Sequence, residues 1–192
     1  LHRAADRNFG LSHILEISTK SPDRIGIELS AFNLVIEVTD YRDPVLLEAA
    51  YQGSKVFTSG GPFTHLYSWK SGREVKRFMK DYANERLTAF RFENQDWPLE
   101  PITAFYDWLY LRALRRIISV DQAIKEALIS YDAFTDIEFN PEKGINCQAR
   151  SCALYVALQS IGQLQEAMTD PKSFVRVLGE NGYPAYRAPR LF

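Results

Sequence analysis

Apolar residues recur at a helical period through residues 102–118, with Phe105, Trp108, Leu109 and Leu111 on one side. That stretch predicts a long core helix. Residues 34–38 read as a strand buried on one face, and residues 87–92 alternate as a second short strand. Asp43-Pro44 pairs a capping residue with a proline at the first helical position, which predicts a helix over residues 44–57. Ser59-Gly60-Gly61-Pro62 stops it and forms a loop. Residues 70–86 are mostly polar and read as one helix or two short turns. Ser119-Val-Asp-Gln122 has the form of a capping box and opens another short helix. Residues 134–139 look extended. Asn146 is placed to cap a helix that runs to about residue 161, with Gly162 as its stop. Asp170-Pro171 opens a last helix over about residues 171–178, ended by Gly179. The tail from Asn181, with Pro184 and Pro189, reads as loosely held. Helices dominate, and the few strands lack βαβ alternation. The expected fold is α+β: one mostly helical domain over residues 1–192 with a small sheet and a core over about residues 14–164.

Two polar constellations interrupt these patterns. On a helix starting at Pro44, Glu48, Tyr51, Gln52 and Lys55 share one face, because positions i, i+3, i+4 and i+7 align. They bring a carboxylate, a phenol, an amide and an amine together within two turns. The plain alternative is a solvated face with a weak ion pair. The second constellation spans residues 131–146, where acids and amides alternate with aromatics. In a strand, Phe134, Asp136 and Glu138 would point one way. An acid among buried rings raises its pKa or finds a partner, and Lys55 or Arg150 is available. An edge strand with solvated acids is the plain alternative. Trp97, beside Pro98, offers a flat ring for a base or nicotinamide, or else packs in the core. The basic positions in residues 70–86 suit a nucleic-acid backbone or a solvated face.

Composition removes several classes. The chain has 192 residues, 46% of them hydrophobic, enough for a packed core. A net charge of −1 leaves no global field to attract nucleic acid. No apolar run reaches the roughly 20 residues needed to cross a membrane, and no membrane partner is expected. Cys147 and Cys152 fit neither a zinc knuckle nor a CxxC pair; they read as reduced core thiols, in keeping with a cytoplasmic location. His2, His13 and His65 are scattered with no HExxH or paired spacing, which disfavours a metal enzyme, and no cofactor is expected. The start at Leu1 suggests a segment of a longer protein.

Three pieces carry a resemblance to a known family. Glu48-Ala-Ala-Tyr-Gln-Gly-Ser-Lys55 is similar to the Glu-His-Tyr-x-Gln-Ala-x-Lys helix of the NADAR family, with Glu, Gln and Lys in register. Ser30-Ala-Phe32 resembles the Ser-Asn-Phe element that precedes that helix. The segment from Asp136 to Gly144-Ile-Asn146 resembles the family's Asp-x-x-Trp-Gly…Gly-x-Asn segment. Residues 96–108 and 131–141 resemble the subgroup of NADAR antitoxins paired with DarT toxins. The resemblance covers about residues 14–164. Ala49 stands where the wider family has His, and Phe139-Asn140 replaces its Trp-Gly. A substrate different from that of the riboflavin-linked members follows from those departures.

The resemblance implies N-glycoside hydrolysis. DarT toxins of this subgroup attach ADP-ribose to guanine in DNA, and the NADAR partner removes it. The expected partners are therefore ADP-ribosylated DNA and a DarT-type toxin. In that reading Glu48 is the acid/base and Asp136 orients or stabilises the ribose. Lys55 either neutralises developing charge or attacks the anomeric carbon. Ser30 belongs to the element before the helix. Phe32, Tyr51 and Trp97 pack the sugar or a base, Gln52 and Asn146 bond to ribose hydroxyls, and Arg150 meets a phosphate. Two other readings compete: a non-catalytic reader or direct toxin-blocking protein, and an N-glycosidase acting on a small metabolite.

Overall fold

The computed structural model describes residues 10–142 and 144–182. His2, Pro184 and Pro189 lie outside them. The fold is α+β. Strand β1 (Ile14–Glu16) pairs in parallel with the distant β7 (Ala133–Thr135). A short helix α1 (Arg24–Glu28) follows β1. Strands β2 (Val35–Ile36) and β3 (Val45–Leu46) form a small antiparallel ladder. Helix α2 (Leu47–Gly53) leads into β4 (Lys55–Phe57). β4 pairs antiparallel with β5 (Leu87–Phe92), and β5 with β6 (Gln95–Trp97). Between β4 and β5 lie a 3₁₀ turn (Thr64–Ser68), helix α3 (Gly72–Phe78) and a second 3₁₀ turn (Met79–Tyr82). The rest is helical: α4 (Ala104–Val120), α5 (Gln122–Ser130), α6 (Gln148–Ser160), α7 (Leu164–Ala167) and α8 (Pro171–Glu180).

Helix α4 is the centre of the core. Phe105, Leu109, Tyr110, Leu111 and Leu114 on it are fully or almost fully buried. The Tyr110 hydroxyl donates to the Leu29 carbonyl at 2.7 Å, so even the polar end of that ring is satisfied inside. The β5–β6 hairpin turns at Glu93-Asn94, both at positive φ (48° and 61°), as a tight two-residue turn requires.

The expected helix over residues 44–57 is shorter at both ends. Val45 and Leu46 pair with β2, since an apolar β-branched residue there gains more by burying against Ile36 than by starting a helix. Leu46, not Asp43, is the residue before the helix. Gly53 then lets the chain pass close to Tyr67: a Cβ there would stand 2.5 Å from the Tyr67 ring. Lys55 consequently begins a strand and is not on the helix.

Other boundaries moved for local reasons. The strand expected over residues 34–38 narrows to Val35–Ile36. The strand expected over residues 134–139 stops at Thr135, because the buried Glu16 carboxylate captures the Thr135 hydroxyl (2.6 Å) and the Ile137 N–H (2.8 Å) and bends the chain. Ser119 caps nothing. It lies inside α4, and Asp121 caps α5 by accepting from the Ala123 N–H at 3.0 Å. Asn146 does not cap α6; Cys147 precedes that helix, and the capping carboxylate is Asp136. Gly162, at φ 73°, follows the end of α6 as expected, whereas Gly179 lies within α8. Asp170 caps α8 through the Lys172 and Ser173 N–H groups. Cys147 and Cys152 are free thiols.

Candidate active site

Every residue of α2 is buried, including Glu48 at 4% exposure. A buried carboxylate must be partnered. Gln52, one turn on, donates to Glu48 Oε1 at 2.9 Å, and Lys76 Nζ on α3 stands 3.8 Å from the same oxygen. α3 reaches this close because of Gly72. A Cβ there would lie 2.8 Å from the Phe32 ring and 3.4 Å from Glu48 Cβ. The Lys76 ammonium rests 4.4 Å above the Phe32 ring.

Tyr51 is packed by Phe90, Phe105 and Tyr106, with the last ring edge-on at 5.3 Å. Burial drives its phenol pKa well up, against a hydrogen bond from the Asn146 side chain that pulls it down. Tyr106 is pushed up in the same way, first by burial and then by Glu48 and Asp107. Both phenols therefore stay protonated and can donate.

Lys55 enters from β4. Its ammonium lies 5.0 Å from the Tyr51 ring centroid. Burial lowers its pKa; the Glu48 carboxylate opposes the shift and the Lys76 charge adds to it. Asp136 moves the other way. Burial raises its pKa, hydrogen bonds from Gln148 and Glu138 hold it down, and Glu16 adds to the rise. Asp136 Oδ2 accepts from Gln148 N (3.2 Å) and Nε2 (3.1 Å), and Gln148 Oε1 accepts from the Ala31 N–H at 2.6 Å. Asp136 thus caps α6 and, through Gln148, ties the loop after β7 to the Ser30-Ala-Phe32 segment.

These groups surround a cavity of about 730 Å³. Phe32, Glu48, Tyr51, Gln52, Lys55, Asp136 and Asn146, seven of the ten residues singled out from sequence, line it. Ser30 does not: it is fully buried behind the wall, where its hydroxyl accepts from the Phe32 N–H at 3.4 Å and shapes the turn. Trp97 does not either. It is 1% exposed and packs against Phe105, Trp108 and Phe174, so the flat ring read as a stacking plate belongs to the core. Arg150 is half-buried on α6 and not part of the lining. Lys76, Tyr106 and Gln148 line the cavity and were not singled out. Lys76 was visible only as one charge of a basic segment, Tyr106 as one ring in an apolar helix, and Gln148 carried no signal. The Oε1 of Gln52 and the Oδ1 of Asn146 are buried and meet no donor among the described residues, which leaves two acceptors for a ligand's hydroxyls. Among the described residues no group of three or more His, Cys, Asp or Glu side chains is placed to hold a metal.

In this α+β fold one buried helix floors a cavity whose lining combines aromatic rings with the Glu48 carboxylate and the Lys55 and Lys76 amines, a concave site that a polar ligand could fill. The chain belongs to the DarT1-associated NADAR antitoxin family, whose model matches residues 1–187. Its setting is therefore a toxin–antitoxin pair with a DarT-type toxin. No curated protein matches it. No helix among the described residues is long and apolar enough to cross a membrane.

Proposed function

We propose that this antitoxin is an N-glycosyl hydrolase that removes ADP-ribose from guanine in DNA and so reverses the toxin's modification. The observation that carries the reading is the buried Glu48 carboxylate facing the same cavity as Lys55, an amine whose pKa is lowered by burial. A protein that only read the mark would gain nothing from desolvating an acid and an amine together, since both cost stability. A cavity of about 730 Å³ suits a nucleotide-sized ligand.

The chemistry follows from these groups. The scissile bond joins the anomeric carbon of the ribose to the exocyclic nitrogen of guanine, a poor leaving group. Lys55, neutral in the larger fraction that burial allows, attacks the anomeric carbon. The carbon–nitrogen bond to guanine breaks, and the leaving nitrogen takes a proton from Glu48, which receives one from the attacking amine. Water then attacks the anomeric carbon and gives a proton to Glu48, the bond from that carbon to Lys55 Nζ breaks as Glu48 passes the proton to the departing amine, and ADP-ribose leaves with Lys55 and Glu48 in their starting forms. Gln52 Oε1 and Asn146 Oδ1 accept from ribose hydroxyls, and Tyr51 and Tyr106 donate. Asp136 is a positioning residue, because its oxygens are already committed to Gln148 and Glu138.

The test is incubation with guanine-ADP-ribosylated single-stranded DNA, followed by mass spectrometry of both products. Free ADP-ribose with restored guanine supports the hydrolase. Tight binding without release would leave a non-catalytic reader instead.

A further inference from the structure

A second cleft, of about 630 Å³, is lined by Trp69, Glu74, Arg77, Phe78 and Asp81. It shares α3 with the cavity above. Gly72 and Lys76, one turn apart, face Phe32 and Glu48; Glu74, Arg77 and Phe78 lie on a different face. The two clefts therefore use different faces of α3, a helix roughly 10 Å across. Trp69 and Phe78 meet edge-to-face, with centroids 5.7 Å apart, and both rings are half-buried. Among the described residues Glu74, Arg77 and Asp81 form no ion pair with one another or with a neighbour.

We propose that this cleft binds a nucleobase flanking the modified guanine in single-stranded DNA, stacked on Trp69; the inference rests on the DNA-hydrolase reading. A base supplies a flat face for the aromatic wall, amino groups for Glu74 and Asp81 to accept from, and ring acceptors for Arg77. Two carboxylates in the lining disfavour a bare phosphate there. Lys70, Arg73 and Lys80, exposed on the same segment of chain, are available to the backbone instead. A strand that passes around α3 from the cavity could place a neighbouring base in the cleft.

Trp69 reports on its own site, since Trp97 and Trp108 are buried. Adding a short unmodified single-stranded oligonucleotide is expected to quench the tryptophan fluorescence of the wild type. Trp69→Phe should abolish the quenching. Arg77→Glu, at an exposed position that the fold does not need, should weaken the apparent affinity about 10-fold. In turnover, the ratio of kcat/KM for the adduct in an oligonucleotide to that for the adduct on a single nucleoside should fall about 10-fold in Trp69→Ala. An unchanged ratio, or quenching by purified toxin but not by DNA, would overturn the proposal. Quenching by DNA without any release of ADP-ribose would uphold the cleft and overturn the hydrolase reading, so the two fail separately.

Discussion

At the scale of single residues, Lys55 is the most informative. Its pKa is lowered by burial, so the unfolded chain holds the proton more tightly than the folded one. Stability therefore rises with pH between the lowered value and the ordinary 10.5, and the penalty is fully present below that window. Lys55→Met should raise Tm at neutral pH and flatten that rise, while kcat/KM falls by about 100-fold or more. Thermal melts across pH, paired with turnover, check both halves; a variant that loses stability would contradict this account of the buried amine. Lys76 gives a second prediction. Its charge helps to hold the Lys55 pKa down, and a nucleophilic amine must be neutral. Turnover should rise with pH as Lys55 loses its proton, and Lys76→Met should move that rise to higher pH. A pH–rate profile of the two proteins reads the shift directly. Glu48, Tyr51, Gln52 and Lys55 were legible in the sequence as one group. The signal survived a wrong premise, because Lys55 starts a strand, yet Ser54 turns the chain so that its amine still reaches the Tyr51 ring.

At the scale of elements, the site depends on two approaches of backbone to side chain. Gly72 lets α3 close on Phe32 and Glu48. Gly72→Ala should push the helix outward, cost roughly 1–3 kcal/mol and lower turnover by moving Lys76, as a denaturant melt and a kinetic assay would record. The other approach is the link from Asp136 through Gln148 to the Ala31 N–H. Gln148→Ala leaves a buried donor and part of Asp136 unpaired, at a cost of about 1–3 kcal/mol in a denaturant melt. These links were not legible. Asp136 drew notice as an acid among aromatic rings, but its capping of α6 depends on a fold that places residue 136 against residue 148. Strand edges failed for a related reason: the Glu16 carboxylate that ends β7 comes from a segment about 120 residues earlier in the chain. The long, strongly periodic α4 was legible because its own pattern suffices to define its buried face.

At the scale of the whole molecule, sequence-distant pieces meet in one cavity: residues 31–32, helix α2, strand β4, helix α3, Tyr106 and the loop after β7. Trp97 shows how such convergence misleads a linear reading. Beside Pro98 the ring could be read either as a stacking plate or as a core ring, and β6 carries it inward against Trp108 and Phe174. The net charge of −1 gave no hint of a nucleic-acid substrate, while Lys70, Arg73, Lys76, Arg77 and Lys80 are all exposed and Lys76 lines the cavity. Turnover on DNA should therefore fall with rising salt, more steeply than turnover on a modified nucleoside. The central claim, that Glu48 in this cavity drives hydrolysis, is tested most directly by one rate comparison. ADP-ribose release from guanine-ADP-ribosylated single-stranded DNA would be measured for the wild type and for Glu48→Gln, which keeps the shape of the side chain. The account predicts rapid release by the wild type and a drop of at least about 100-fold in the variant. Equal rates in the two proteins would contradict it.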